Sequence, residues 1–474
     1  MKLEQDFDVN KIEYKKIKLW PIIRAYIYGK HVFGNKKEPE PQKTYKSWFR
    51  LKKNLFHHTK ATKDLLRKSK FSQNIDYLFV GRTFDHTDKL IGKPYSRHTD
   101  PYYEVFAEKF NCTKIEVGES QPRFIRTTFL PFWIAQFETP KIKLRSSYIE
   151  ILSGIYNSSF EDEELSIFFN YLYERISRVC YLSKIFSLLL RKINPKKVFI
   201  VCYHDEISSA VILACHKLRI PTIEIQHGQQ GIYNSLYCRW RKIPENGYSL
   251  LPSFIWMWGE DSKKNFLMNR KNERVKPVPF VGGNLWLKKC ISFDISNVSS
   301  DLYSFKKKFN TIVTVITTPM NNLDELIASF VTEIIKSNLP NIGWVIRLHP
   351  NQTKDFEDIR QFLQEKLICQ NFFLEKPEHS SLYGLLKISN YLITKWSSVA
   401  YEALSFYINP IITDQNGKVL FSEKIKTGVF NYAENEQQLY DIITENKEFV
   451  ADDNPFIDTC PDKAHAAMNF IISH

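Results

Sequence analysis

A chain of 474 residues exceeds what a single hydrophobic core ordinarily serves, so at least two domains are expected. Its 43% hydrophobic content is that of a globular protein, and no run approaches the roughly 18 consecutive apolar residues of a membrane-spanning helix. The formal net charge of +14 admits three kinds of partner, nucleic acid, an anionic membrane surface or a phosphorylated small molecule, without choosing among them.

Residues 1–70 read as a basic helical extension, broken by Pro39 and Pro41. From Lys43 to Lys70 ten Lys or Arg residues face the single acid Asp64, interleaved with Trp48, Phe49, Leu51 and Leu55. Such a basic amphipathic segment packs on the protein body with a solvated face or lies on an anionic bilayer. No secretory leader pattern is seen, and a cytoplasmic location, peripheral to the inner membrane at most, is expected.

Ordered alternation follows. Ile75–Val80 reads as a buried parallel strand, Tyr102–Phe110 as a helix and Lys114–Val117 as a strand. Lys197–Tyr203, the helical Ser208–Leu218 and Pro221–Gln226 make a strand, helix, strand unit, whose right-handed crossover puts the loops after both strands on one sheet edge. A linker over 291–309 leads to a second αβ series, with strands at Thr311–Ile316, Trp344–Leu348, Asn371–Leu374, Tyr391–Thr394 and Pro410–Thr413. The expected organisation is an extension over 1–70, a first Rossmann-like domain over 71–290 and a second over 310–474 that includes the C-terminal helix. The eight cysteines are widely spaced, with no C-x-x-C and no Cys/His ligand cluster in the sequence, so neither disulfides nor a metal site is expected.

Three strand-end constellations carry candidate chemistry. Gln226-His227-Gly228 closes a strand with a flexible turn and a side-chain donor. Arg347 and His349, two apart at another strand end, suit an anionic group. Ser397 and Ser398 stand where a strand gives way to a helix, a place for phosphate, with Glu402 one turn on as a ribose ligand. Each has a plainer reading: a polar turn, a structural arginine, ordinary helix capping.

Taken in order, Q-H-G, R-x-H-P and S-S-x-x-x-E-A-L resemble bacterial GT-B glycosyltransferases of capsule and lipopolysaccharide biosynthesis, the Kdo transferases and polysialyltransferases among them, over about residues 75–450. The resemblance implies two Rossmann-like domains with the substrates in the cleft separating them, residues 71–290 on the acceptor side and 310–474 binding the nucleotide sugar. It places His349, Ser397 and Ser398 on the nucleotide phosphates and Glu402 on the ribose, with Gln226, His227 and Gly228 near the cleft. The implied activity is inverting transfer of a sugar from a nucleotide donor, with a lean toward CMP-linked acidic sugars, to a surface polysaccharide or lipid-linked acceptor. The alternative is a nonhydrolysing nucleotide-sugar epimerase. No cofactor beyond the donor substrate and no nucleic-acid partner is expected. Transfer requires a base, for which Asp205 ranks first, then Glu206 and Asp85, with His227 and His349 as further catalytic candidates. The polar loops holding Arg82, Asp85, His86, Arg97, His98 and Asp100 suit a sugar acceptor.

Overall fold

The computed structural model describes residues 2–33, 74–82, 88–90, 93–131, 142, 144–160, 165–230, 234–270, 272–292, 298–318, 322–376, 379–445, 448–452 and 455–474. Asp85, His86 and the basic stretch Lys43–Lys70 lie outside them. The chain divides into two compact units, Met1–Trp286 with Cys460–His474, and Leu287–Thr459. Each is a parallel α/β unit of Rossmann-like form. Among the described residues no helix is long and apolar enough to cross a membrane.

In the first unit a short hairpin, β1 (Glu13–Tyr14) and β2 (Ile17–Lys18), precedes β3 (Tyr77–Arg82); a second hairpin, β4 (Asp88–Leu90) and β5 (Lys93–Tyr95), follows it. Then come β6 (Cys112–Val117), β7 (Thr127–Leu130), β8 (Lys197–Val201), β9 (Thr222–Ile225), β10 (Phe254–Met257) and β11 (Val278–Val281). The main sheet runs β11-β10-β9-β8-β3-β6-β7 and every pair in it is parallel. Strand alternation divides the apolar residues between two cores: Leu78, Val80, Val198 and Ile200 enter one, while Tyr77, Phe79, Phe199 and Val201 enter the other. Gly282, just past β11, is required by packing, because a Cβ there would stand 2.2 Å from the Trp256 ring.

The second unit repeats the scheme with β12 (Thr311–Ile316), β13 (Ile342–Arg347), β14 (Phe372–Glu375), β15 (Tyr391–Thr394), β16 (Ile411–Ile412) and β17 (Asn431–Tyr432). These pair in the parallel order β14-β13-β12-β15-β16-β17.

Both chain ends differ from expectation. The helix Pro461–Ser473, assigned from sequence to the nucleotide-binding domain, belongs to the first unit. Its apolar stripe Ala464, Ala467, Met468 and Ile471, spaced three and four apart, covers the sheet face formed by Phe199, Ile223 and Trp256. Residues 2–33, expected as an appended basic piece, are core. The helix Trp20–Phe33 buries Trp20, Ile23, Tyr26 and Ile27 in the cluster that holds the long helix Leu165–Ile193.

That N-terminal segment is also tied to the chain near residue 238. Arg24 and Glu4 are both fully buried and form an ion pair. Arg24 donates to the carbonyls of Ser235 and Cys238 and stacks on Trp240, its guanidinium carbon 4.2 Å from the ring centre. Glu4 accepts hydrogen bonds from Trp20 Nε1 at 2.7 Å and from the backbone amides of Arg241 at 2.6 Å and Lys242 at 3.2 Å. The positive character visible in residues 11–30 thus includes one cation that is internal and paired.

Candidate functional site

The first unit gathers polar groups where β3, β8 and β9 end. β8 stops at Val201, and Cys202 turns the chain with a left-handed φ of 61°. Tyr203 and His204 follow, and Asp205 starts the helix Glu206–Leu218 by accepting from the amides of Ile207 at 2.9 Å and Ser208 at 3.2 Å. That cap occupies the carboxylate favoured from sequence as a base. Glu206 is likewise engaged, 2.9 Å from Arg178 and 3.4 Å from Arg175.

β9 contributes residues that alternation sends to one side. Glu224 is fully buried, and its Oε1 accepts from Tyr237 Oη at 2.7 Å and the Tyr203 amide at 3.1 Å. Burial outweighs these bonds and the nearby Arg82, raising the Glu224 pKa to about 7. Gln226, also buried, clamps the turn: its Oε1 accepts from the Trp258 amide at 2.7 Å and its Nε2 donates to the Gly228 carbonyl at 3.1 Å. His227 keeps 21% of its side chain exposed, and its Nδ1 lies 4.0 Å from Glu224 Oε1.

Three imidazoles meet here. The His227 ring centre is 6.1 Å from that of His98 and 6.5 Å from that of His204. Burial, reinforced by surrounding cations, lowers all three pKa values: His204 to about 4, with Arg175 and Arg82 contributing, His98 and His227 well below the ordinary value. All three are therefore neutral near pH 7. Cys202 Sγ lies 3.1 Å from His204 Nε2. Its thiol is pushed up to about 12, chiefly by burial.

The supporting shell explains other residues singled out from sequence. Asp100 does not line an open acceptor surface. It is buried, accepts from the Ser96 amide at 2.9 Å and pairs with the buried Lys114, which also lies 3.1 Å from Glu116. This network fixes the turn that presents Arg97 and His98. Arg82, the last residue of β3, and Arg97 are both half-buried. His204, Glu224, Cys202 and Tyr237 were not singled out from sequence. A signal for Glu224 existed, since a carboxylate in the middle of a wholly buried parallel strand requires a reason.

In the second unit Arg347 is 8% exposed and its Nη1 donates to the Ser380 carbonyl at 3.0 Å, an internal role. The His349 amide donates to Thr317 Oγ1 at 3.1 Å and Gln352 Oε1 at 3.2 Å, which locks the ends of β12 and β13 together and leaves the imidazole half-buried at the strand end. Ser397 and Ser398 follow β15, both half-buried, and Ser397 Oγ accepts from the Val399 amide at 3.3 Å. The helix they open, Val399–Ala403, has only five residues. Glu402 is buried at 6% exposure rather than standing on the surface. Gly417 holds this loop close: a Cβ there would fall 1.9 Å from the Lys395 carbonyl oxygen. Gly417→Ala should displace residues 395–398 and cost about 1–3 kcal/mol by overpacking, read as a lowered urea midpoint. An unchanged midpoint would show that the loop can move aside freely.

No protein-family model matches this chain, and no curated protein sequence matches it. Solved structures do. A co-structure of S. aureus MnaA with UDP aligns with TM-score 0.52 at 14% identity, covering 84% of this chain and 95% of that one. The UDP-GlcNAc 2-epimerase from Neisseria meningitidis bound to UDP-GlcNAc aligns with TM-score 0.52 at 16% identity, covering 84% and 100%. That from Methanocaldococcus jannaschii gives TM-score 0.51 at 13% identity, covering 84% and 100%. At such identities the likeness establishes the fold. It also corrects the sequence-based expectation: UDP-GlcNAc 2-epimerases stand among the structures resembled, in place of the Kdo transferases and polysialyltransferases expected. The glycosyltransferase assignment, with its capsule and lipopolysaccharide role and its separate glycan, lipid-linked or membrane-borne acceptor, is set aside on that finding. An epimerase alters the nucleotide sugar itself and needs no second substrate.

Proposed function

We propose that this protein acts on a nucleotide sugar as a nonhydrolysing epimerase, the substrate being a UDP-linked amino sugar of the UDP-GlcNAc type. The observation that carries the reading is the two-unit fold, which matches UDP-GlcNAc 2-epimerases over 84% of this chain and nearly the whole of theirs. The chemistry of the strand ends agrees with it. Inverting the ring carbon next to the anomeric centre can proceed by loss of its proton, with the C–H electrons expelling UDP from the anomeric carbon, followed by return of UDP and delivery of a proton to the opposite face, so the site needs groups that take and give a proton. Glu224, raised to about 7 by burial, holds or releases a proton near neutral pH, and the neutral imidazole of His98 can act as a base. His204 is engaged by the Cys202 thiol and His227 backs onto Glu224, which makes His98 the first choice for direct proton transfer.

The second unit supplies phosphate recognition through His349, Ser397 and Ser398, and Glu402 is kept as the ribose ligand. A uridine diphosphate takes the place of the cytidine donor expected from sequence.

The decisive experiment incubates the pure protein with UDP-GlcNAc alone in deuterated buffer and follows the sugar by proton NMR. A second isomer, carrying solvent deuterium at the inverted carbon, is the expected result. Absence of both isomer and UDP binding would refute the reading. The pair Ser397→Ala and Ser398→Ala removes two neutral hydrogen bonds worth about 0.5–1.5 kcal/mol each. Calorimetry should show UDP affinity falling about tenfold to a hundredfold in the double variant. Unchanged affinity would place the phosphates elsewhere.

A further inference from the structure

The sequence spaces its cysteines and histidines too widely to suggest a metal site, yet folding brings three of them to one point. The ligand atoms of Cys202, His204 and His227 all lie within 4.8 Å of one another. In a tetrahedral zinc site, bonds of about 2.3 Å to sulfur and about 2.0–2.1 Å to nitrogen put neighbouring ligand atoms roughly 3.3–3.8 Å apart. The 4.8 Å limit, with Cys202 Sγ already 3.1 Å from His204 Nε2, is close to that spacing.

From this geometry we propose that Cys202, His204 and His227 bind a divalent cation of the zinc class through three protein ligands, with a fourth position open. The inference goes beyond the epimerase reading and does not depend on it.

The ligand set selects the ion. One thiolate and two imidazoles suit a borderline-soft metal and disfavour magnesium or calcium, which take oxygen ligands. All three residues sit at the ends of adjacent parallel strands: Cys202 and His204 in the turn after β8, His227 two residues past β9. Rigid elements therefore hold the set.

The surroundings supply an outer partner. Glu224 Oε1 stands 4.0 Å from His227 Nδ1, and among the described residues its buried Oε2 has no hydrogen-bond partner within ordinary distance. A carboxylate behind a ligating imidazole accepts the N–H of the nitrogen that does not bind metal, which fixes the tautomer and orients the ring. Rotation of His227 to direct Nε2 at the cation would bring Nδ1 toward that oxygen. The charges facing the point are mixed. Arg82 acts on Cys202, His204 and His227 as a cation, while Asp205 and Glu224 act as anions on Cys202. A thiolate formed as the cation displaces the Cys202 proton, with Asp205 nearby, would offset part of the ion's charge.

The test uses the full chain. Protein is stripped with chelator, dialysed against zinc sulfate, and its bound metal measured by elemental analysis; a parallel sample takes cobalt and is read by absorption. One zinc per chain and a thiolate-to-cobalt charge-transfer band are expected. Cys202→Ser should abolish the band and the stoichiometric zinc while circular dichroism stays unchanged. Glu224→Gln should keep the band but weaken affinity about tenfold to a hundredfold, as removal of an outer-shell partner does. Substoichiometric zinc in the wild-type protein, or equal zinc in Cys202→Ser, overturns the proposal. Should Cys202→Ser fail to fold, His204→Gln should abolish the stoichiometric zinc, and equal zinc in that variant overturns the proposal in the same way. Because the readout is metal bound without substrate, its outcome is separate from whether UDP-GlcNAc is epimerised.

Discussion

Glu4→Ala should cost about 3–5 kcal/mol of stability, an effect far above the roughly 1 kcal/mol of an ordinary substitution. The variant leaves Arg24 as a fully buried cation whose remaining partners are the carbonyls of Ser235 and Cys238 and the face of Trp240. Burial already lowers the Arg24 pKa, and Glu4 is the first of the groups that oppose this. The same change strips acceptors from Trp20 Nε1 and from the amides of Arg241 and Lys242. Urea unfolding followed by tryptophan fluorescence measures the loss. Adding Arg24→Met should recover part of it, because the buried charge is then gone as well. If Glu4→Ala alone costs under about 1 kcal/mol, the pair is not the tie described here.

That tie matters beyond stability. Arg24 holds the backbone on either side of Leu236 and Tyr237; Tyr203 Oη donates to the Leu236 carbonyl at 2.8 Å, and Tyr237 reaches Glu224. Residues 2–33 are thereby linked through residues 235–238 to Tyr203 and Glu224. Glu4→Ala should disturb activity as well as folding, and partial rescue of both by Arg24→Met is the pattern this chain of contacts predicts.

Much of the architecture was legible in the sequence, for a definite reason. Runs such as Lys197–Tyr203 and Thr311–Ile316 are continuous in apolar and β-branched residues, and a strand buried on both faces reads that way. The chain ends were less legible. Lysines dominate the eye in residues 11–30, and only tertiary contact shows that Arg24 turns inward to Glu4. The helix Pro461–Ser473 follows the second unit in sequence but finds its apolar partner face on the first.

Part of the candidate cluster was visible in the sequence. His227, His98 and Arg82 were singled out, and the structure brings them to one sheet edge with His204 and Glu224. Asp205 illustrates what spacing cannot tell: the position after a strand that suits a base is also the position that caps the next helix, and here the cap is made. The Q-H-G, R-x-H-P and S-S-x-x-x-E-A-L signals mark strand ends of a two-unit Rossmann-like fold. They do not distinguish transfer to an acceptor from rearrangement of the sugar, because phosphate contacts are common to both chemistries.

The largest effect on activity is expected from His98→Gln, which should lower turnover about a hundredfold to ten-thousandfold, the ordinary contribution of a positioned proton-transfer group. Glutamine keeps hydrogen-bonding capacity and comparable bulk but neither takes nor gives a proton at neutral pH. His98 stands in the turn whose Ser96 amide is held by Asp100 at 2.9 Å, and Asp100 is held in turn by Lys114. The backbone should therefore keep its course in His98→Gln, with an unfolding midpoint close to the parent value. UDP affinity should also be retained, since His98 belongs to the first unit and the phosphates are assigned to His349, Ser397 and Ser398 in the second. Asp100→Asn supplies the contrast. It weakens the support beneath the same turn and should lower the unfolding midpoint and turnover together. Turnover at saturating UDP-GlcNAc, UDP affinity by calorimetry and urea midpoints, measured side by side, separate the two cases. A folded His98→Gln protein with parental turnover would remove His98 from proton transfer and shift that role to another group of the cluster.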